Sequence, residues 1–449
     1  MTGGLESFGR VFPGQGRVLS PDEAVALLES GRAEPASLLG YGNGRSYGDS
    51  CLNAGGALVD MRGARRILSF DPDTGILTAE AGAFLSDIIA HVARQGYFPP
   101  VVPGTQYVTL GGAIANDVHG KNHHRRGSFG GHVLSLTLLR SDGRTYVCSA
   151  DCHPELFRAT IAGMGLTGLI LSATMRLMRV GSPHVVQTVR PFRSLSEYFD
   201  LAEDADARNE YAVAWIDQLA AGVAAGRGLL LAGNHADVSE GAAYDTAPSR
   251  LSVPVQPPFT VLNRPFLTLF NAAYRWSNGR RREPESVPAK SFFFPLDSVA
   301  HWNRLYGPGG LFQHQTVVPE AVARDVVPAL LALARGRGQG SFLTVLKRFG
   351  DRPSPGILSF PRPGYTLTLD FPNRGAKTRA LLDDLDRIAI EAGGAVNPYK
   401  DARMPADVFE ASFPRWRTLE ALRDPAFVSD FWRRTALALT GGAHAIAAE

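Results

Sequence analysis

PGTQYVTLGGAIANDVHGKNHHRRGSFG, residues 103–130, is the stretch from which the fold can be read. It enters through Gly104, carries the pair Gly111-Gly112, and follows them with the small residues Ala113 and Ala115. Backbone this thinly clothed packs closely against a large flat ligand. Two further glycine-rich segments lie on either side of it. GYGNGRSYGDS, residues 40–50, follows an apolar strand at 37–41, and AGMGLTGLIL, residues 162–171, leads into another strand. Clustered glycine amides attract a pyrophosphate. The first loop nevertheless fails the dinucleotide fingerprint: Gly42 and Gly44 begin it, but its third glycine falls on Tyr47, and no Gly-Lys-Ser/Thr follows. Taken alone, that loop reads equally well as a plain turn. Three such loops in succession, none with Rossmann spacing, point to a long cofactor threaded through a different fold.

The surrounding elements are short and mixed. Ser20-Pro21-Asp22-Glu23 is a capping box with proline at the first helical position, predicting a helix to about Glu29 that stops near Gly31. Strands follow at 56–61, 67–70 and 76–79, the last two joined by DPDTG. Residues 85–95 have helical periodicity and end at Gly96, and 133–149 form a hairpin around Ser-Asp-Gly. With a strand at 169–178, residues 1–182 read as one α+β domain. A second α+β region, 183–395, holds a strand at 211–217 and helices near 319–335 and 376–392. Within it 244–290, rich in proline and arginine and weakly periodic, reads as a mobile loop. Residues 396–449 are a helical segment returning to the first domain.

The 449 residues are 45% hydrophobic and 20% charged, ordinary for a globular protein of two domains. A net charge of +3 without a basic, aromatic stripe argues against a nucleic-acid partner. Cys51, Cys148 and Cys152 form no disulfide framework. The N-terminus lacks a basic and then apolar signal, and no run reaches the roughly 18 apolar residues of a membrane span. The expectation is a cytoplasmic protein, at most peripheral to a membrane.

Together GRSYGD, HGKNHH, GSFG, GLTG, the FPLD…WNRLYG stretch at 294–307, QHQTVVP at 313–319 and KDAR at 400–403 resemble the decaprenylphosphoryl-β-D-ribose 2-oxidase family. That family lies within the vanillyl-alcohol oxidase / p-cresol methylhydroxylase group, and the resemblance runs from about Phe8 to Arg434. It implies an FAD-binding domain of that type with an inserted α+β substrate domain. It puts the cofactor's pyrophosphate and ribityl contacts on Gly40, Tyr41, Gly42, Asn43, Gly44, Arg45, Ser46, Tyr47, Gly48, Asp49 and Ser50. Further contacts fall on Gly104, Thr109, Leu110, Gly111, Gly112, Asn116, Asp117, Val118 and His119, with Ile170 and Asn397 at the flavin. Many members of the wider group attach flavin through a histidine of the first loop. Residues 40–50 have none, so the FAD is expected to be non-covalent.

The reaction the resemblance implies is oxidation of a furanose C2 hydroxyl, on a lipid-linked or free sugar. An NAD(P)H-dependent short-chain reductase would then complete a 2-epimerisation. The family's essential lysine falls on Lys400, although the usual motif KDSR reads KDAR here; outside the motif Lys400 would pass for a surface residue. Gln313 and Gln315 alternate along a strand and so share a face. Gln315, Tyr47 and His119 join Lys400 as catalytic candidates. Lys121, Trp215, Tyr306, Gln313, Lys347 and Thr368 are the substrate-side candidates, with Lys347 near the substrate phosphate. Thr368 stands where mycobacterial members carry a cysteine that traps nitroaromatic inhibitors. Thr366 and His314 lie in the same stretches and leave the exact substrate open. A soluble alditol or aldonolactone oxidase of the same fold is the alternative. His119 and His123, four apart, permit a metal reading, but Lys121 between them and the missing HExxH glutamate weigh against it. His123 and His124 are taken as structural. Finally, PPFTVLNRPFLTLFNAAYRW at 257–276, followed by Arg280, Arg281 and Arg282, is an apolar segment with basic neighbours that could meet lipid headgroups or simply cover the core.

Overall fold

The computed structural model describes residues 4–14, 16–30, 35–237, 244–280 and 284–446, so Gly31, Arg281 and Arg282 lie outside the described residues. The N-terminal half holds a three-stranded and a five-stranded sheet, besides the two-stranded pair Tyr97–Phe98 and Met178–Arg179. Arg17–Leu19, Leu38–Tyr41 and Ala57–Asp60 make a parallel three-stranded sheet with Ala57–Asp60 in the middle. Ile67–Asp71, Ile76–Glu80, Leu169–Arg176, Val133–Leu139 and Thr145–Ser149 lie side by side in that order in a five-stranded antiparallel sheet. Local chemistry sets the punctuation. Ser20 and Glu23 exchange capping hydrogen bonds at the head of the helix Pro21–Glu29. In DPDTG, Asp71 accepts from the Asp73 amide and the Thr74 hydroxyl, and Gly75 supplies φ +70°. The helix Leu85–Val92 buries Leu85, Ile88, Ile89 and Val92, each worth about 1.5–3 kcal/mol. It tightens to a 3₁₀ turn, Ala93–Gln95, before left-handed Gly96.

Residues 185–396 form an eight-stranded antiparallel sheet whose central order is Tyr211–Ile216, Thr344–Phe349, Gly364–Pro372, Leu311–Val318. Its outer face packs on three helices, Leu195–Arg208, Glu320–Gly336 and Ala376–Glu391, through buried Phe199, Val327, Leu330, Leu367, Leu369 and Leu385. Its inner face turns toward the N-terminal half. The C-terminal residues touch the three-stranded sheet: the Leu38 amide donates to the Ala426 carbonyl at 2.7 Å, and the Val428 amide donates to the Leu38 carbonyl at 3.1 Å.

One expectation is corrected. The segment 244–290 contains a helix, Arg264–Asn278, capped by Asn263, whose side chain accepts from the Phe266 amide at 3.0 Å. Pro265 sits in its first turn, where a missing N–H costs nothing. The weak periodicity has a cause: only Leu267 and Asn271 are buried, while Leu269 and Trp276 are 73% and 62% exposed. No helix among the described residues is long and apolar enough to cross a membrane.

Gly48 packs directly on the 400–403 loop. A Cβ on Gly48 would stand 1.7 Å from the Asp401 carbonyl oxygen. Gly48→Ala is therefore expected to lower stability by about 2–3 kcal/mol, read as a drop in the urea midpoint at unchanged slope.

Candidate functional site

A cavity of about 560 Å³ lies between the glycine loops and the inner face of the large sheet. From the first loop Gly40, Gly42, Asn43, Gly44, Arg45, Ser46, Tyr47 and Ser50 reach its wall; Gly104, Thr109, Gly111, Gly112, Asn116, Asp117, Val118 and His119 follow from the second. Ile170 lines it from the third loop, together with Met164, Gly165 and Gly168. These three belong to a motif the sequence displays, but no role had been assigned to them. The glycines are needed for closeness. At Gly42 a Cβ would meet the Thr109 hydroxyl at 2.4 Å, at Gly111 one would meet the Ala81 Cβ at 2.9 Å, and Gly104 borders open space. Arg45 Nε and Ser50 Oγ, both on the wall, are buried polar atoms without a hydrogen-bond partner. Such atoms need a ligand or water, and an anionic, hydroxyl-rich cofactor such as FAD meets that need.

Other residues of the same loops stand behind the wall. The Tyr41 hydroxyl donates to the Glu6 carbonyl at 2.7 Å, and Leu110 is fully buried in the core. Gly48 and Asp49 face the 400–403 loop. On the wall itself Asp117, in a left-handed conformation, accepts from the Gly130 amide at 2.7 Å and from the hydroxyls of Ser354 and Ser359, so it also pins neighbouring loops.

Strand pairing composes the opposite wall. Gln313 faces Asp370, Gln315 faces Thr368, Thr368 faces Val345 and Thr366 faces Lys347 across adjacent strands, so all share the inner face. His314 falls on the other face. There its Nε2 meets Asp386 at 3.0 Å, which removes it from the substrate-lining set. Around His119 the polar groups interlock: Gln315 Nε2 is 3.0 Å from His119 Nε2, Lys347 Nζ is 2.8 Å from His119 Nδ1, and Asn397 Nδ2 is 2.8 Å from Gln315 Oε1. Burial, and next Lys347, hold the His119 imidazole well below its usual pKa. Lys400 Nζ lies 4.4 Å from the centre of the Tyr47 ring. Burial lowers Lys400 to about 8 against the opposing pull of Asp370. Asp370, accepting from Gln313 Nε2 at 2.5 Å, is itself raised to about 7 by burial. Nothing in the sequence reading singled out Asp370. Its alternation with Thr366 and Thr368 in YTLTLDFP was the available signal.

Three expected substrate residues stand off the wall. Lys121 Nζ bonds the Phe292 carbonyl and lies 4.6 Å from that ring's centre. Trp215 packs on Tyr274 of the helix Arg264–Asn278, ring centres 4.8 Å apart. Tyr306 is buried with Trp302 beside Asp370. His123 is buried against Phe349 at 4.5 Å, and His124 bonds the Asn209 carbonyl at 3.1 Å. Among the described residues no group of three or more His, Cys, Asp or Glu is arranged to hold a metal.

Arg434 locks the two walls together. Its Nε and Nη2 take both oxygens of Asp49 at 2.6 and 2.9 Å, and Nη2 also reaches Asp401 at 2.8 Å. On the far side of Asp401, Arg403 Nη1 reaches Asp386 at 2.6 Å. Lys400 is thus carried on a loop gripped from both flanks.

Residues 17–149 match the model of an FAD binding domain. The chain is 34% identical to decaprenylphosphoryl-β-D-ribose oxidase of Mycolicibacterium smegmatis, over 96% of this chain and 97% of that one. It is 27% identical to L-gulonolactone oxidase of Mus musculus over 43% of this chain and 42% of the other. For D-arabinono-1,4-lactone oxidase of Eremothecium gossypii the figures are 24%, 40% and 34%.

Replacing Arg434 by Gln leaves Asp49 and Asp401 buried side by side. The expected cost at pH 7 is about 3 kcal/mol. Burial already raises the Asp49 pKa with Arg434 in place. In the variant the native state should therefore bind more protons than the unfolded chain, and the deficit should narrow as pH falls through the raised pKa. Urea unfolding at pH 7 and pH 5.5 measures both effects.

Proposed function

Since the chain belongs to the decaprenylphosphoryl-β-D-ribose oxidase family and is an FAD-dependent oxidoreductase, we propose that it oxidises the C2 hydroxyl of a polyprenyl-phosphate-linked pentofuranose to the 2-keto sugar. One observation carries the reading: a single cavity joins three glycine loops to a sheet face bearing Gln313, Gln315 and Lys347 and to the loop that carries Lys400. FAD, when bound, supplies the two-electron acceptor. Gln313, Gln315 and Thr368 present side-chain donors and acceptors at the spacing of a strand, suited to orienting sugar hydroxyls. Lys400, supported by Asp370, is mostly an ammonium at neutral pH and polarises the reacting oxygen. The lactone oxidases align with less than half of this chain, which leaves the lipid-linked sugar as the favoured substrate. Hydride return to the opposite face of the 2-keto sugar needs a second, NAD(P)H-dependent short-chain reductase.

The cofactor is held without a covalent bond in this reading. The thiol on the wall, Cys51, is pushed up to about 12 by burial, so it is a poor nucleophile. The cavity also opens among Pro248, Ser249, Val299, Ala300 and His301. The helix Arg264–Asn278 extends the same region with exposed Phe266, Leu269 and Trp276, and Arg280 stacks 3.8 Å from the Trp276 ring centre. Exposed apolar side chains with a basic neighbour suit the edge of a bilayer from which a lipid substrate is drawn.

Anaerobic titration tests the substrate. Polyprenyl-phosphoryl ribose should bleach the flavin fully, and free alditols or aldonolactones should not; the reverse result would transfer the assignment to a lactone or alditol oxidase. Acid precipitation should release all the flavin into the supernatant. Deleting 257–282 should weaken flotation with anionic liposomes about tenfold, and undiminished flotation would remove the membrane role.

A further inference from the structure

Around His119 the hydrogen bonds determine where each proton sits. The argument starts from a group that can only donate, a backbone amide. Tyr399 N–H donates to Asn397 Oδ1 at 3.0 Å, which fixes the orientation of that side-chain amide. Asn397 Nδ2 is then the donor to Gln315 Oε1, 2.8 Å away. With its oxygen so engaged, Gln315 turns Nε2 toward Thr366 Oγ1 and His119 Nε2, each at 3.0 Å. His119 Nε2 therefore accepts. An imidazolium cannot accept, and a neutral imidazole that accepts at one nitrogen carries its hydrogen on the other. That Nδ1–H points at Lys347 Nζ, 2.8 Å away, and requires a lone pair there. An ammonium has none, whereas an amine has one and can still donate to the Gly120 carbonyl at 3.0 Å.

We propose that Lys347 rests as a free amine and takes the proton of the substrate hydroxyl, while Lys400 remains the ammonium of the site. The C–H electron pair leaves as hydride to the flavin oxidant, the Lys347 amine turns its one lone pair from His119 Nδ1–H to the substrate hydroxyl and takes the O–H proton to become an ammonium, and the C=O forms. This replaces the phosphate-holding role the sequence suggested for Lys347. The surroundings favour the division. Lys347 faces the imidazoles of His119 and His123, the side-chain nitrogens of Lys121 and Lys400, and the Phe349 ring 5.6 Å from Nζ. Burial, then Lys121 and Lys400, lower Lys347 to about 7. Asp370 acts in the other direction on Lys400. Asn397 is a positioning residue in this arrangement, since it fixes the histidine tautomer through Gln315.

The identity of the alcohol rests on the function proposed above; the protonation state of Lys347 does not. The FAD-loaded full chain, labelled with ¹⁵N and ¹³C at lysine, reports it without substrate. The resonance lost in Lys347→Met should titrate near pH 7, and Asn397→Ala should raise that midpoint by about one unit. An ammonium at Lys347 that persists through pH 9, or a midpoint unmoved by Asn397→Ala, overturns the proposal. In stopped-flow reduction the rate should fall about tenfold per pH unit below the midpoint. Lys347→Met should lower that rate about 100-fold and abolish the acidic limb. Survival of the limb in that variant also overturns the proposal. Failure of the sugar to bleach the flavin, with the lysine titration intact, would count against the substrate alone.

Discussion

A guanidinium shared between two carboxylates is the constraint on which the site depends. Arg434 joins Asp49, which is 385 positions away in the chain, to Asp401. Asp49 ends the first glycine loop and Asp401 follows Lys400, so one side chain sets the distance between the cofactor wall and the loop bearing the lysine. Two carboxylates this deeply buried repel one another, and a bidentate arginine is the side chain best suited to offset that repulsion. Gly48 adds the steric half of the same junction. Its missing Cβ lets the Asp401 carbonyl lie directly on the loop.

The opposite wall depends on parity instead. Strand residues alternate sides, so Gln313, Gln315, Thr366, Thr368, Asp370 and Lys347 gather on one face while His314, Leu367 and Leu369 go to the other. A one-residue slip in either strand would exchange the polar wall for the core. The helices behind the sheet prevent that, because their apolar side chains accept only the Leu-bearing face. The His314–Asp386–Arg403 contacts then tie this sheet to the Lys400 loop from behind.

Much of this was legible in the sequence because it is local or periodic. The capping box at Ser20, the Asp71 turn, the two glutamines and the three glycine loops each advertise themselves within a dozen residues. FAD binding and the oxidase family followed from the order of those loops with HGKNHH and KDAR, and the matches to related proteins agree. Less visible were contacts between distant segments. Nothing around Arg434 announces a partner at Asp49, and Asp370 looks like any strand carboxylate until Gln313 is laid beside it. The helix Arg264–Asn278 escaped notice because its apolar residues are on the outside, where periodicity against a core is lost. The contacts of Lys121 with the Phe292 carbonyl and of Trp215 with Tyr274 are likewise between distant segments.

The reach of Arg434 also bears on how the protein comes into being. A chain emerging from the ribosome makes its glycine loops first, but the residue that fastens them follows Asp49 by 385 positions. Until then Asp49 and Asp401 lack the guanidinium that offsets their repulsion. Contacts this distant in sequence are slow to form, since loop closure must precede any reward. A nascent chain that still lacks Arg434 is the form most open to chaperone capture or aggregation.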